Sequence, residues 1–168
     1  MGGSKANVLL CGRPLLSYPL EALRAGLDEV VVLAKVDTDL PALSGVEVWI
    51  EPEPEYHPVL GIVSAVALAG GRPVVVCALD LPFVTPSLAR RLADIGTVAV
   101  AAWRGEIQPL LGRYDPSVLG RLKPEGRVRE AVLELRPRLV EVDRPDVLWN
   151  VNSPSDLLQA AAILERGR

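Results

Sequence analysis

The 168 residues carry 49% hydrophobic side chains but only 4% aromatics, which fits a single domain, 1–168, around one core built from Val, Leu, Ala and Ile. A formal net charge of -3 gives no electrostatic reason to bind nucleic acid or an anionic membrane. No stretch is long or apolar enough to cross a bilayer and no secretory signal opens the sequence; with Cys11 and Cys77 lacking metal-type spacing, the reading is a reduced, soluble, cytoplasmic protein with Cys77 a buried free thiol.

In chain order, leucines at helical spacing predict a first helix from Pro14 to Arg24, with Gly26 placed for a left-handed cap. Glu29–Leu33 reads as a short buried strand and Val46–Ile50 as a less protected one. The small apolar run Val59–Ala69, closed by Gly70-Gly71, reads as a helix. Pro73–Leu79 is β-branched almost throughout, as expected of a strand buried on both faces. Thr85 caps a helix with Pro86 in its first turn, and this helix runs to about Asp94. The strand Thr97–Trp103 follows.

Beyond Gly105 the pattern becomes irregular. A run Pro109–Tyr114 precedes a basic, Pro- and Gly-punctuated segment reaching Arg129, then a helix at Ala131–Leu135 and a strand at Leu139–Val142. Ser153, Pro154 and Asp156 mark the start of a last helix. Strands alternating with crossover helices imply an α/β fold, three-layer and Rossmann-like, around a mostly parallel sheet.

Asp80 stands where the apolar run Pro73–Leu79 stops, and open α/β sheets keep their ligands just beyond such strand ends. Gly2-Gly3 with Lys5 suits phosphate, since bare amides can approach oxygen while the ammonium neutralises charge; a loose tail has the same composition. Asn150 and Asn152 alternate about Val151, so an extended backbone points both amides to one side, either to read a polar ligand or to satisfy loop groups.

The segments Met1-Gly-Gly-Ser-Lys-Ala6, Gly12-Arg-Pro-Leu-Leu16, Leu79-Asp-Leu-Pro-Phe83, Gln108-Pro-Leu110 and Asn150-Val-Asn-Ser-Pro-Ser-Asp-Leu157 together resemble the molybdenum cofactor guanylyltransferase family, of the nucleotide-diphospho-sugar transferase fold. The resemblance spans the whole chain. Its Asn-Val-Asn-Ser-Pro piece separates the guanylyl branch from cytidylyl relatives, which usually have aspartates at those two positions. It implies that the phosphate of a molybdenum-bound pterin attacks the α-phosphate of Mg-GTP and releases pyrophosphate. In-line transfer of this kind needs positioning and charge neutralisation rather than a protein nucleophile.

On that resemblance Asp80 holds Mg²⁺, Lys5 with Gly2 and Gly3 meets the GTP phosphates, and Lys35 and Glu51 stand at the nucleotide. Gln108, Asn150 and Asn152 face the second substrate, with Arg104, Arg113, Lys123 and Arg127 as cations for the anionic pterin. The implied partners are GTP, the molybdenum-pterin cofactor, and proteins that deliver or accept it. A cytidylyl or sugar-phosphate transferase on the same sheet is the alternative.

Three departures stand out. Family members carry Leu-Ala-Gly-Gly-x-Ser-x-Arg immediately ahead of Met-Gly, at the end of a first strand, whereas this sequence opens at that Met. The expectation is roughly 15 further residues upstream, about one strand and its loop; a genuinely short form would instead be a non-catalytic nucleotide-binding relic. Ser4 replaces the family's usual Asp, and the Gly-Pro-Leu-Ala-Gly segment becomes His57-Pro-Val-Leu-Gly61, where His57 reads as a capping or surface residue more readily than as a substrate contact.

Overall fold

Alternating Val and Ala between Val98 and Trp103 builds the most buried strand of the molecule and shows how the layers form. The structure is a computed structural model that describes residues 5–166. A 3-10 turn at Lys5–Asn7 leads into an antiparallel ribbon of β1 (Leu9–Leu10) and β2 (Arg13–Pro14), followed by α1 (Ser17–Gly26), β3 (Val31–Ala34), β4 (Glu47–Ile50), α2 (Pro58–Leu68) and β5 (Val74–Cys77). Then come α3 (Pro86–Ala93), β6 (Ala99–Trp103), β7 (Glu106–Tyr114), α4 (Val128–Glu134), β8 (Arg138–Glu141) and α5 (Pro154–Arg166).

Period two decides which helix each strand residue meets. Val98, Val100 and Ala102 pack with Val59, Ile62 and Val66 of α2 and Val132 of α4. Ala99 and Ala101 turn the other way, onto Leu88 and Leu92 of α3. The sheet is therefore covered on both faces, and the three-layer α/β class stands.

Pairing within the sheet is mixed where the strand-helix alternation led to a mostly parallel expectation. The order is β5-β7-β6-β8, with β7 antiparallel to β5 and β6, while β6 and β8 are parallel. The sequence hid this because β6 and β7 are joined by a tight turn, Arg104-Gly105, with both residues at positive φ of 50° and 81°. A turn that short permits only an antiparallel return.

β7 is central yet contains Pro109. The partner of β6 jumps from Gly112 at Val100 to Gln108 at Ala101, so Pro109 sits in a bulge, where its missing N–H breaks no ladder bond. Below the bulge, Gly112 is required by close approach: a Cβ there would lie 2.7 Å from the Ala99 carbonyl oxygen. The buried Tyr114 hydroxyl donates to the Pro109 carbonyl at 2.5 Å, and burial pushes its pKa up.

The caps at Thr85 and Ser153 are as the sequence implies. Thr85 Oγ1 accepts from Leu88 N at 3.3 Å, and Ser153 Oγ accepts from Asp156 N at 3.2 Å. Gly26 is a correction. It closes α1 inside the helix rather than in a left-handed cap, and a Cβ there would lie 2.5 Å from the Pro86 carbonyl oxygen, so its small size serves the α1–α3 contact.

β3 and β4 form a separate parallel pair. Between β3 and β5 lies a cavity of about 770 Å³. This leaves Val74–Cys77 half-buried, although the apolar run predicts burial on both faces, and Cys77 is a half-buried free thiol. Desolvation, and secondarily the Asp80 charge, push that thiol up to about 12. Among the described residues no helix is long and apolar enough to cross a membrane.

Candidate functional site at the carboxyl ends of β3, β4 and β5

Asp80 lies three residues beyond β5 and is buried, with 9% of its surface exposed. A carboxylate so placed needs compensating donors, because desolvation of a charge is costly. Both come from residues far away in sequence. Lys5 Nζ donates to Asp80 Oδ2 at 3.2 Å, and Asn150 Nδ2 donates to Asp80 Oδ1 at 2.6 Å.

The main chain fixes that arrangement. Val151 N donates to the Asp80 carbonyl at 2.9 Å, which ties the segment ahead of α5 to the strand end. The Val151 side chain is wholly buried with Leu10, Leu15, Phe83 and Ala160, and alternation sends Asn150 and Asn152 to the opposite side. Asn152 Oδ1 accepts from Lys5 Nζ at 2.6 Å. Gln108, presented by the bulged stretch of β7, donates through Nε2 to Asn150 Oδ1 at 2.6 Å and to the Leu148 carbonyl at 3.2 Å.

The outcome is one connected line, Gln108–Asn150–Asp80–Lys5–Asn152, drawn from four separate parts of the sequence. Asp156 holds its far end, accepting from Asn152 N at 2.9 Å and Ser153 N at 2.8 Å in a reciprocal cap with the Ser153 hydroxyl. The Asn152 amide, then Ser153, hold the Asp156 carboxyl below its ordinary value of 3.8.

A second cluster borders the same cavity at the ends of β3 and β4. Lys35 is buried, its Nζ donating to the Glu53 carbonyl and, at 2.7 Å, to the Glu55 carbonyl. Glu51 Oε1 lies 3.0 Å from Lys35 Nζ without a hydrogen bond. Lys35 therefore shapes the 51–56 loop, while Glu51 keeps acceptor capacity beside the cavity. Tyr56 completes the group, with the Lys35 ammonium 5.5 Å from its ring centre and its hydroxyl donating to Asp37 Oδ1 at 3.0 Å.

The structure thus gathers Lys5, Asp80, Gln108, Asn150 and Asn152 in one line and Lys35 with Glu51 in another; Gly2 and Gly3 lie outside the described residues. His57 is a cap: Nδ1 accepts from Val59 N at 3.2 Å, which leaves Nε2 to donate to the Gly126 carbonyl at 3.2 Å. Arg113 is a correction to the set of pterin cations, since it is buried and paired with Asp115 at 3.1 Å. Arg104, Lys123 and Arg127 are exposed and do not line the cavity. Sequence reasoning missed the carbonyls that hold Lys35 and the amide of Val151, because main-chain groups are the same at every residue. The Tyr56 contact was missed as well.

No group of three or more His, Cys, Asp or Glu capable of holding a metal occurs among the described residues. Asp80 is a single carboxylate with two of its roughly four lone-pair directions engaged. That fits Mg²⁺ in the mode where one or two carboxylates share the ion with phosphate oxygens and water, and it does not fit an all-protein metal cage.

An α/β sheet with a donor-bound carboxylate, an ammonium and three amides at its ligand edge, and no nucleophile paired with a base among the described residues, suits a transfer that needs positioning and charge neutralisation, as nucleotidyl transfer does. The sequence matches the MobA-like NTP transferase domain over residues 1–139, and the chain belongs to that family of nucleotidyltransferases. It is 31% identical over 177 aligned residues to a molybdenum cofactor guanylyltransferase of Cereibacter sphaeroides, covering 99% of this chain and 91% of that one. A nucleotidyl transferase structure from Methanothermobacter superposes with a TM-score of 0.77 at 26% identity, over 98% of this chain and 86% of the other. A 2-C-methyl-D-erythritol 4-phosphate cytidylyltransferase from Thermus thermophilus shares the fold, with a TM-score of 0.70 at 19% identity over 96% and 93% of the two chains.

Proposed function

We propose that this nucleotidyltransferase moves GMP from GTP to the terminal phosphate of a molybdenum-bound pterin, forming the guanine dinucleotide cofactor and pyrophosphate. The observation that carries the reading is the Lys5–Asp80–Asn150 contact, which sets a cation, a carboxylate and an amide at the strand end where a phosphate chain would lie. A pterin phosphate oxygen attacks the α-phosphorus as the bond to the β-phosphate oxygen breaks, and the electron pair leaves with pyrophosphate. Lys5 offsets charge on the phosphate oxygens. Asn150, Asn152 and Gln108 orient the incoming phosphate, with Gln108 keeping the Asn150 amide turned toward Asp80.

Asp80 is the residue that would hold Mg²⁺, which supplies charge neutralisation to the phosphates when bound. Glu51, with an acceptor free of hydrogen bonds, suits the adjacent N–H donors of a guanine edge, and Lys35 holds it in place. Gly2 and Gly3 would add main-chain amides to the phosphates.

The test is product formation by the full chain with Mg²⁺, molybdenum-bound pterin and each of GTP, CTP, UTP and ATP. Guanine dinucleotide and pyrophosphate should form with GTP well ahead of the others. An equal or reversed preference overturns the guanylyl reading, and transfer to a sugar phosphate without pterin supports the alternative shared with the cytidylyltransferase fold.

A further inference from the structure

His57 makes a second bond that its capping role does not need. Capping of α2 uses only Nδ1, which accepts from Val59 N at 3.2 Å. A ring nitrogen that accepts carries no proton, so the proton sits on Nε2, which donates to the Gly126 carbonyl at 3.2 Å, 69 residues away in sequence. One tautomer therefore holds two distant segments together. Asn caps a helix equally well but is too short to reach Gly126, and the glycine that family members carry at this position could make neither bond.

The segment at the far end of that bond has little else to hold it. Leu122 is anchored in the core with Val59 and Val132, and the Arg127 carbonyl accepts from Glu130 N and Ala131 N at the start of α4. Lys123, Pro124, Glu125 and Gly126 lie between them, all exposed. Among the described residues, the His57 bond is the only hydrogen bond or ion pair that reaches these four. Gly120 and Gly126, with positive φ of 78° and 74°, let the chain reverse on either side of the stretch.

The loop is held at the rim of the site. His57 borders the cavity together with Glu51 and Asp80. Three residues beyond Gly126, Arg129 meets Glu106 at 2.7 Å, and Glu106 stands two residues ahead of Gln108 on β7. Residues 126–129 thus bridge the cavity edge and the strand start that presents Gln108. Lys123 and Arg127 are exposed here without a carboxylate partner among the described residues, and unpaired cations at the edge of a phosphate-type site attract anionic groups.

We propose that His57 is a positioning residue for the second substrate: through the Gly126 carbonyl it holds the 123–127 loop at the rim, where Lys123 and Arg127 meet anionic groups of the acceptor, and it touches neither substrate itself. This rests on the reading of the site as one that transfers a nucleotidyl group to a phosphate-bearing acceptor.

The test begins with the parent chain. His57 is the single histidine of the sequence, so nitrogen NMR reads its ring without ambiguity, and in mildly alkaline solution only Nε2 should carry a proton. His57→Asn keeps a capping side chain and loses the bond to Gly126. In that variant the backbone order parameters of Glu125 and Gly126 should fall below about 0.6, the range of flexible backbone, with the thermal midpoint within a few degrees of the parent. The KM for the acceptor should rise about tenfold while kcat and the KM for GTP stay within about twofold, because binding lost equally from ground and transition states moves KM alone. His57→Ser, a second cap without the reach, should behave alike. Where Lys123→Gln and Arg127→Gln are already present, His57→Asn should leave the acceptor KM unchanged, since no cation remains to be positioned. A proton on Nδ1, unchanged order parameters, an equal rise in both KM values, or an undiminished effect of His57→Asn in the neutral loop overturns the proposal. Failure of the guanylyl reading is separate: it appears as another preferred nucleotide or acceptor in parent and variant alike, and the split between the KM values is then measured with those substrates.

Discussion

β5 and β6 are both wholly apolar strands, yet they sit in opposite environments. Ala99–Ala102 of β6 are completely buried, with β7 on one side, β8 on the other and helices on both faces. Val74–Cys77 of β5 are only half-buried, because one side of that strand is the open slot facing β3. Burial depends on neighbours in the sheet as well as on hydrophobicity. The site lies where these regions meet: Asp80 ends β5, Gln108 comes from the closed sheet, and Lys35 and Glu51 end the β3–β4 pair.

The largest effect tests that junction. Asp80→Ala should lower guanylyl transfer by roughly 10²–10³-fold while leaving the thermal midpoint within a few degrees of the parent. Full activity in steady-state assays would remove Asp80 from the reaction.

Next in size, Leu111→Ala in the closed sheet should cost about 3 kcal/mol, since Leu111 is fully buried against α3 and β6. Val76→Ala beside the slot should cost about 1 kcal/mol, because less surface is lost from contact. Urea unfolding of both variants gives the ratio, and equal costs would mean that the slot does not lower packing around β5.

The smallest effect concerns the cap that holds Asn152. Asp156 titrates below its ordinary value in the folded protein, so its stabilising contribution is complete above the unfolded value of 3.8 and is lost as pH falls through the lower folded one. The thermal midpoint of Asp156→Asn should therefore lie below that of the parent at about pH 7, and the gap should narrow as pH falls below 3.8. A gap unchanged by acid would assign the cap to hydrogen bonding alone.

Much of the scaffold was legible because its signals are local. Thr85-Pro86 and Ser153-Pro154 announce helix starts through side-chain oxygens acting three residues away. Alternation about Val151 foretold that Asn150 and Asn152 share a side, and Asp80 was marked by its place after an apolar run. The direction of β7 was harder to read, because the apolar pattern starts that strand at Pro109, whereas Glu106–Gln108 carry it back to the two-residue turn Arg104-Gly105 and so to an antiparallel return. Gly26 looked like a cap for a similar reason: the sequence shows a small residue near a helix end but not the Pro86 carbonyl packed against it.

What the sequence by itself determined is the periodic part: which segments are strands and helices, which faces are apolar, and which few polar residues interrupt them at strand ends. The tertiary structure alone decided the partnerships. It put Lys5 and Asn150 on Asp80 across separations of 75 and 70 residues, and tied Lys35 to carbonyls that any residue could have supplied. It also left β3 and β5 apart with an apolar slot between them. The physical reason is range: propensity, capping and periodicity act over a few residues, whereas charge compensation and edge pairing depend on which distant segments the closed fold brings within hydrogen-bonding distance.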